Sequence, residues 1–308
     1  MDRTRRVLVV SHTGRRDSID AALEVCGLLC AAGVVPVLPR DEFEDVRAAE
    51  PSFGDDVEIM PDDVPEDLIE AVLVLGGDGT ILRAAELIRG SSAPIVGVNL
   101  GHVGFLAESE RDELAETVAR VLAADYDVEE RFALEVTVTN RSEVVYRTWA
   151  MNEATVEKAS RERMLEVVNE VDGRPLSSFG CDGVVMSTPT GSTAYSFSAG
   201  GPVVWPEVQA LLLVPLSAHA LFARPLVVGP DSTLAVEVLN RTDARGILWC
   251  DGRRQHDLPP GARVECSRSE QPVRLARLRQ GPFTDRLVAK FRLPVTGWRG
   301  PATEGAAE

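Results

Sequence analysis

The sequence predicts an α/β N-terminal domain, with a parallel sheet flanked by helices, followed by an all-β sandwich-like domain. Its 308 residues are more than one domain usually takes. Up to about residue 128 apolar runs alternate with helical patterns, whereas beyond it short alternating runs are separated by turn dipeptides. We therefore expect domains at 1–128 and 129–280, with residues 281–300 packing back on the first and 301–308 forming a disordered tail.

The first half predicts a parallel sheet because each strand-like run is followed by a helical pattern or a loop. Acidic and proline-rich residues 39–67 show little periodicity, so we expect a surface excursion there. The predicted strands are 6–10, 34–38, 71–75 and 94–98, and the predicted helices are 18–32, the pattern after residue 79, and 110–123.

The second half predicts strands joined by tight turns. Asp172-Gly173 and Asp251-Gly252 each lie between alternating runs, which is a strong hairpin signal. We also expect a helix near 206–213 and a last helix at 283–293. The predicted strands include 144–149, 164–171, 184–187, 226–228, 234–239 and 246–250.

Composition excludes several classes of function. The net charge of −16 argues against a nucleic-acid or anionic-membrane partner, because both favour basic surfaces. No apolar run approaches the roughly 20 residues of a membrane span, and the N-terminus lacks a signal-peptide pattern. Five cysteines without CxxC spacing fit buried thiols rather than a zinc site, and together these features favour a cytoplasmic protein.

Residues 71–90 contain the strongest functional signal. An apolar run ends in Gly76-Gly77-Asp78-Gly79-Thr80, and a helical pattern follows at once. The glycines let a ligand approach the backbone, and the helix N-terminus favours phosphate, so Asp78 could act on a hydroxyl that attacks phosphorus. The alternative is an ordinary turn in which aspartate caps the helix. No P-loop motif is present, so bound phosphates would need backbone N–H groups, arginines and a divalent metal.

Two stretches of the second half suggest a binding pocket for a polar ligand. Residues 181–201, CDGVVMSTPTGSTAYSFSAGG, combine small hydroxyl residues and glycines with Tyr195, an aromatic residue able to stack on a base. An ordinary polar loop is the competing interpretation. The pair Asn152-Glu153 can contact one ligand only if its strand ends or bulges there. Arg163 lies in a charged run and by default is a surface residue.

Together these motifs resemble the NAD kinase family over nearly the whole chain. GGDGT alone also occurs in lipid kinases and, in a near form, in phosphofructokinases, so the combination and its order carry the resemblance. The motifs are GGDGTILRAA (76–85), NLGHVGFLAE (99–108), MNEA (151–154), CDGVVMSTPTGSTAYSFSAGGP (181–202) and SAHALFARPLVV (217–228).

The resemblance implies transfer of the terminal phosphoryl group of ATP, another nucleotide or polyphosphate to the 2′-hydroxyl of the adenosine ribose of NAD, giving NADP. Asp78 would accept or orient the hydroxyl proton, Mg²⁺ or Mn²⁺ would assist on the phosphates through ligands that the sequence does not identify, and the protein would be a homo-oligomer, a tetramer or a dimer. The resemblance places NAD contacts at Asp78, Gly79, Arg83, Asn152, Glu153, Arg163, Asp182, Thr190, Thr193, Ala194, Tyr195, Ser196, Phe197 and Ser198, and the phosphate-binding turn at Gly76, Gly77, Gly79 and Thr80.

Two other functions remain open at this point. A lipid or sugar kinase could share the GGDGT turn, but that reading leaves residues 151–154 and 181–202 unexplained. A non-catalytic dinucleotide sensor could carry the same pocket. A sensor could tolerate loss of Asp78, so the intact Asp78, Asn152 and Glu153 count against this alternative. The identity of the phosphoryl donor, the acceptance of NADH and any feedback regulation also stay open.

Overall fold

The computed structural model describes residues 4–101, 104–161, 163–241, 244–279 and 281–295. The expected disordered tail at 301–308 lies outside these residues, as do two positions of the 99–108 motif. No helix within these ranges is long and apolar enough to cross a membrane.

The chain forms twenty strands and six helices in the described ranges. The strands are β1 Arg6–Ser11, β2 Val35–Pro39, β3 Glu58–Met60, β4 Ala71–Leu75, β5 Ile95–Asn99, β6 Ser109–Glu110, β7 Asp127–Arg131, β8 Leu134–Asn140, β9 Glu143–Ala150, β10 Glu153–Lys158, β11 Leu165–Val171, β12 Arg174–Cys181, β13 Gly183–Ser187, β14 Leu211–Leu216, β15 Leu226–Val228, β16 Leu234–Val238, β17 Gly246–Cys250, β18 Arg254–Leu258, β19 Ala262–Arg268 and β20 Val273–Arg277. The helices are α1 Arg16–Ala31, α2 Arg40–Ala49, α3 Asp78–Leu87, α4 Leu114–Leu122, α5 Tyr195–Ser198 and α6 Phe283–Phe291, with short 3-10 helices at Glu66–Leu68, Arg111–Glu113 and Thr190–Thr193.

Two compact units divide the chain, one of residues 1–129 and 274–308 and the other of residues 130–273. The first is the α/β domain and the second the all-β domain that the sequence predicts. The second unit ends at Val273, earlier than the predicted boundary at 280. The reason is β20, which pairs with β5 in the first sheet rather than with the second unit.

The sheet of the first unit has the strand order β3-β2-β1-β4-β5-β20-β7, with β6 paired to β5. Strands β1 to β5 pair in parallel, and β4 and β5 are buried throughout, as expected of a sheet covered on both faces. From β1 the chain adds strands on one side, and it then returns to add β4 and β5 on the other. The carboxyl ends of β1 and β4 therefore flank the topological switch point, where open α/β sheets bind ligands.

Residues 39–67 are more ordered than the sequence predicts, because they contain α2 and β3. The inner face of α2 consists of Glu42, Phe43 and Val46, all buried. Two apolar residues among charged ones give too weak a periodicity for a helix to be predicted. The buried glutamate weakened the signal further, since a charged residue usually indicates surface.

Two antiparallel six-stranded sheets form the second unit. Their strand orders are β15-β14-β13-β10-β17-β18 and β12-β11-β16-β19-β8-β9, and alternating residues of both sheets build one hydrophobic core. The chain changes sheet at Asp182, between β12 and β13. Both predicted Asp-Gly hairpins are present, and the Asp and Gly of each have positive φ. Val171 pairs with Arg174 across a two-residue loop, whereas Cys250 pairs with Arg254 across a three-residue loop.

The helix predicted near 206–213 is wrong, because residues 206–210 form no helix and β14 begins at Leu211. Leu211–Val214 are all buried, and β14 pairs with β13 and β15. A short apolar run buried on both faces carries no periodicity that separates a strand from a helix.

The last helix, α6, packs on the first unit. The rings of Phe283 and Phe291 lie 5.8 and 5.9 Å from the ring of Phe105. Arg286 donates from Nη1 to the Phe105 carbonyl at 2.9 Å and pairs through Nη2 with Glu108 at 2.5 Å. The segment from 104 to 108 is therefore held in place by the C-terminal part of the chain.

Candidate functional site

The candidate residues fall into two groups, one in each unit. The first group follows β4 at the topological switch point, where Gly76 and Gly77 connect the strand to α3. Gly77 is the N-cap of α3, and Asp78 is the first residue of the helix. No side chain caps this helix, so the interpretation of Asp78 as a capping residue is not what the structure adopts.

The Asp78 carboxylate points to a neighbouring loop instead. Its Oδ2 accepts the backbone N–H of Phe105 at 3.1 Å, and its Oδ1 accepts that of Leu106 at 3.1 Å. A Cβ added to Gly104 would lie 2.4 Å from Oδ1, so only glycine leaves room for the carboxylate at this position. Each carboxylate oxygen has a second lone pair, and the half-buried group can therefore still accept a hydroxyl proton.

The glycines of the turn differ in what surrounds them. A Cβ on Gly76 would lie 2.5 Å from Thr80 Oγ1, so the Thr80 side chain leaves room only for glycine at this position. Gly77 and Gly79 are exposed, and a Cβ on either would meet no atom within 4 Å. Nothing in the described protein requires glycine at these two positions, and both lie beside the free N–H groups of the α3 N-terminus.

Arg83 lies one turn into α3 and is bound by two carboxylates of α2. It pairs through Nη1 with Glu42 at 2.6 Å and through Nη2 with Asp41 at 2.5 Å. Glu42 is buried and also accepts the backbone N–H and the hydroxyl of Ser11, at the carboxyl end of β1. Burial raises the pKa of Glu42 to about 7, although Ser11 and Arg83 oppose the shift. The side chain of Arg83 is thereby fixed at the switch point, and its remaining donors stay available to an anion.

The second group centres on Asn152 and Glu153, between β9 and β10. The Asp251 carboxylate holds the backbone here: Oδ1 accepts from Asn152 N at 2.7 Å and from Glu153 N at 3.3 Å, and Oδ2 accepts from Met151 N at 2.9 Å. The chain thus bends at this pair, and Glu153 and Asn152 need not point to opposite faces of one continuous strand.

Residues of the 181–201 segment hold the same bend from the other side. The Thr188 hydroxyl donates to Met151 O at 2.6 Å and accepts from Gly191 N at 3.1 Å, and Thr188 N donates to Asn152 O at 2.9 Å. A Cβ on Gly191 would overlap the Asn152 carbonyl, so glycine permits this close approach.

Glu153 is buried, and its Oε2 has no hydrogen-bond partner among the described residues. The backbone N–H of Tyr195 donates to its carboxylate. Burial, and next the nearby charge of Asp251, raise the pKa of Glu153 to about 8. A buried carboxyl group with an oxygen left over is suited to form a hydrogen bond with a hydroxyl of a bound ligand.

Tyr195 brings several predicted residues together. It begins α5, its ring is partly exposed, and its pKa is raised by burial and then by Glu157, Glu153 and Asp182. The phenol therefore lies within electrostatic reach of Asp182, although Asp182 itself pairs with Lys158 at 2.5 Å. Lys158 lowers the pKa of Asp182 through that contact.

The other predicted residues of this group differ in exposure. Thr190 is buried beside Arg131, whose Nη1 lies 3.5 Å from its hydroxyl. Ser196 is buried, and its Oγ has no hydrogen-bond partner within the described ranges. Thr193 and Ala194 are half-buried, whereas Phe197 and Ser198 are exposed. Arg163 is an exposed residue of a bend before β11.

A metal centre built by the protein alone is not present in the described residues. No group of three or more His, Cys, Asp or Glu side chains is arranged there to hold an ion. All five cysteines are free thiols, of which Cys30 is exposed and the other four are buried.

Sequence reasoning missed two contributions to the site. Asp251 resembles Asp172 in sequence, since each precedes a hairpin glycine, and no local signal shows that only one of them reaches the 151–153 bend. The Phe105 and Leu106 N–H groups carry no side-chain signal at all. The pattern NLGHVGFL, which lies in a predicted loop next to the GGDGT strand, was the only available indication.

Comparison with known families matches both units. The ATP-NAD kinase N-terminal domain matches residues 7–126, and the ATP-NAD kinase C-terminal domain matches residues 151–278. The chain is 70% identical to a NAD kinase of Leifsonia xyli subsp. xyli over 297 residues, which cover 96% of this chain and 97% of the relative. It is 58% identical to a NAD kinase of Thermobifida fusca, with 97% of this chain and 93% of the relative covered.

Solved structures share the fold. A yeast NADH kinase complexed with NADH superposes with a TM-score of 0.83 at 24% identity, covering 95% of this chain and 88% of that one. A NAD kinase from Archaeoglobus fulgidus in complex with ATP superposes with a TM-score of 0.69 at 24% identity, covering 94% of this chain and 99% of that one.

Proposed function

Because this chain belongs to the NAD kinase family, we propose that it transfers the terminal phosphoryl group of ATP to the 2′-hydroxyl of the adenosine ribose of NAD. The 2′-oxygen forms a bond to the γ-phosphorus, the bond between that phosphorus and the bridging oxygen breaks, and ADP leaves. The products are NADP and ADP, with the hydroxyl proton passing to a carboxylate or to water.

The geometry of Asp78 gives this proposal its main support. Its two oxygens are oriented by the Phe105 and Leu106 N–H groups, and each retains a lone pair for a hydroxyl. A ribose hydroxyl is a poor nucleophile, and a positioned proton acceptor typically accelerates such a step by about 10²–10⁴-fold. The same N–H groups hold the carboxylate in one position, so orientation of the hydroxyl is a large part of its role.

The second unit supplies the contacts to the dinucleotide. We assign Glu153 Oε2 to a sugar hydroxyl, because it is a buried polar atom without a hydrogen-bond partner in the described chain. The exposed ring of Tyr195 offers a stacking face for a base, beside Thr193, Ala194 and Ser196. Arg163, Phe197 and Ser198 remain proposed contacts whose exposure leaves them accessible to a ligand.

Phosphate binding is assigned to the GGDGT turn and the N-terminus of α3. Exposed Gly77 and Gly79 allow a phosphate to approach the backbone, and Arg83 is fixed by Glu42 near the same turn. A divalent metal would neutralise charge on the transferred phosphate. Mg²⁺ commonly binds through substrate phosphates with only one or two protein carboxylates, so it needs no preformed cluster in the protein.

Two further properties are part of the proposal. We propose a homo-oligomer, either a dimer or a tetramer, on the basis of family membership alone. We propose a cytoplasmic location because free, mostly buried thiols fit a reducing compartment.

The test is NADP formation by the purified protein from NAD and Mg²⁺, with ATP and polyphosphate supplied in separate reactions. The position of the new phosphate is read by ³¹P NMR, which separates a 2′-phosphate from a 3′-phosphate. Donor-dependent formation of NADP supports the proposal. NAD binding without turnover with either donor would favour the sensor, and failure to bind NAD would favour a lipid or sugar substrate.

A further inference from the structure

We propose that Asp251 is a positioning residue for NAD: its buried carboxylate fixes the backbone of residues 151–153 so that Asn152 and Glu153 face the dinucleotide. This inference rests on the proposed function, because it concerns the substrate of that reaction. Asp251 itself lies outside the set of residues that the sequence places in the site.

The geometry is that of an anion held by consecutive backbone N–H groups. Met151, Asn152 and Glu153 all donate to Asp251, at distances from 2.7 to 3.3 Å. Three successive donors converge on one carboxylate only when the chain curves around it. The curvature of the 151–153 bend therefore depends on an acceptor that comes from about one hundred residues further along the chain.

Arg254 fixes the carboxylate in turn. Its Nη2 donates to Asp251 Oδ2 at 2.8 Å, its Nη1 lies 3.2 Å from the Thr148 hydroxyl, and its guanidinium stacks over Trp149 with 4.6 Å to the ring centroid. The charge of Asp251 is thus compensated in a buried position, where an uncompensated carboxylate would be costly.

Asp251 also affects the charge of Glu153. Its negative charge is the second cause, after burial, of the raised pKa of Glu153, and the Tyr195 N–H opposes both. The groups that act on Glu153 are therefore Asp251 and the N–H and phenol of Tyr195. Asp251 is itself paired with Arg254. Removal of the Asp251 charge is expected to lower the pKa of Glu153.

The chain contains a matched control in Asp172. Both aspartates begin an Asp-Gly hairpin with φ near 50°, 52° at Asp172 and 53° at Asp251. Asp172 accepts from Thr233 N at 2.8 Å at the exposed end of the hairpin of β11 and β12, which belong to the other sheet from β10. Asp172→Asn therefore reproduces the change in turn chemistry without touching the bend.

The experiment compares Asp251→Asn with Asp172→Asn in the full chain. An asparagine amide places a donor against one of the backbone N–H groups, so at least one of the three hydrogen bonds is lost. We expect Asp251→Asn to raise the Kd and KM for NAD by about tenfold or more, with the KM for ATP changed by less than about twofold. In the variant the pH dependence of the KM for NAD should shift to lower pH. We expect Asp172→Asn to leave all of these values unchanged.

A role confined to stability would lower the unfolding temperature while leaving the ratio of the two KM values and the pH dependence unchanged, and that result would overturn the inference. If Asp251→Asn does not fold, Arg254→Gln serves instead, since it removes the cation that fixes the Asp251 carboxylate, which then holds the 151–153 bend less firmly. An unchanged KM for NAD in that variant would also overturn the inference. If the wild-type protein binds NAD but forms no NADP, the proposed function fails, and the Kd for NAD still tests Asp251.

Discussion

Gly104→Ala is expected to move the Asp78 carboxylate without changing its chemistry. The new Cβ would lie 2.4 Å from Oδ1 and 3.0 Å from Cγ of Asp78, whereas ordinary contact begins at 3.4 Å. The carboxylate or the loop must therefore shift by about 1 Å, and a misplacement of that size can lower a rate by roughly 10²-fold. That corresponds to about 2.7 kcal/mol of activation free energy.

The assay is kcat for NADP formation, measured together with the Kd for NAD and the free energy of unfolding in urea. We expect kcat to fall by about 10²-fold, a much larger factor than the change in NAD affinity, with a stability cost of about 1–3 kcal/mol from overpacking. Gly27→Ala is the control, because Gly27 lies in α1 with no atom within 4 Å of an added Cβ. A folded Gly104→Ala protein that retained kcat within about threefold of wild type would refute the proposed position of Asp78.

Three more predictions concern the turn, Glu153 and the support of the Asp78 loop. Gly79→Ala should preserve or slightly raise stability, because the new Cβ would meet no atom within 4 Å. The same change should weaken binding of the phosphate donor, and a normal KM for ATP would contradict the assignment of the turn to phosphate binding. Glu153 has a folded-state pKa of about 8 against an ordinary 4.5, so the free energy of unfolding should fall as pH rises through this window, by up to about 5 kcal/mol. Urea unfolding at the two ends of the window should show a smaller fall in Glu153→Gln, and equal falls would contradict the raised pKa. Arg286→Met removes the donor to the Phe105 carbonyl and should lower kcat several-fold with little change in the Kd for NAD; an unchanged kcat would show that α6 does not support the loop.

The fold could be predicted where the chemistry is local. The run Ala71–Leu75, followed by glycines and a helical pattern, predicts β4, the turn and α3. A continuous apolar run indicates a strand buried on both faces, and the glycines indicate a turn, so each signal lies within the segment itself. The two Asp-Gly hairpins follow for the same reason. The helix α2 and the strand β14 could not be predicted, since one is amphipathic only through a buried glutamate and the other has no periodicity.

Motifs in the sequence indicate the candidate site residues but not the contacts that hold them in place. The resemblance proposes Asp78 and Glu153 as site residues, whereas the orientation of both depends on contacts across long stretches of chain. Phe105 N reaches Asp78 from 27 residues away, and Asp251 reaches Asn152 from 99 residues away. Such contacts leave no trace in local composition, because backbone N–H groups are the same at every residue and Asp251 looks like any hairpin aspartate.

The role of Asp78 is tested most directly by single-turnover formation of NADP by Asp78→Asn beside the wild-type protein, with NAD, ATP and Mg²⁺ at saturation. We expect the rate to fall by about 10²–10⁴-fold while the Kd for NAD, measured by calorimetry, stays within about threefold of wild type. A variant that binds NAD normally and still forms NADP at a rate within about tenfold of wild type would contradict the role of Asp78 as the group that accepts or orients the hydroxyl proton.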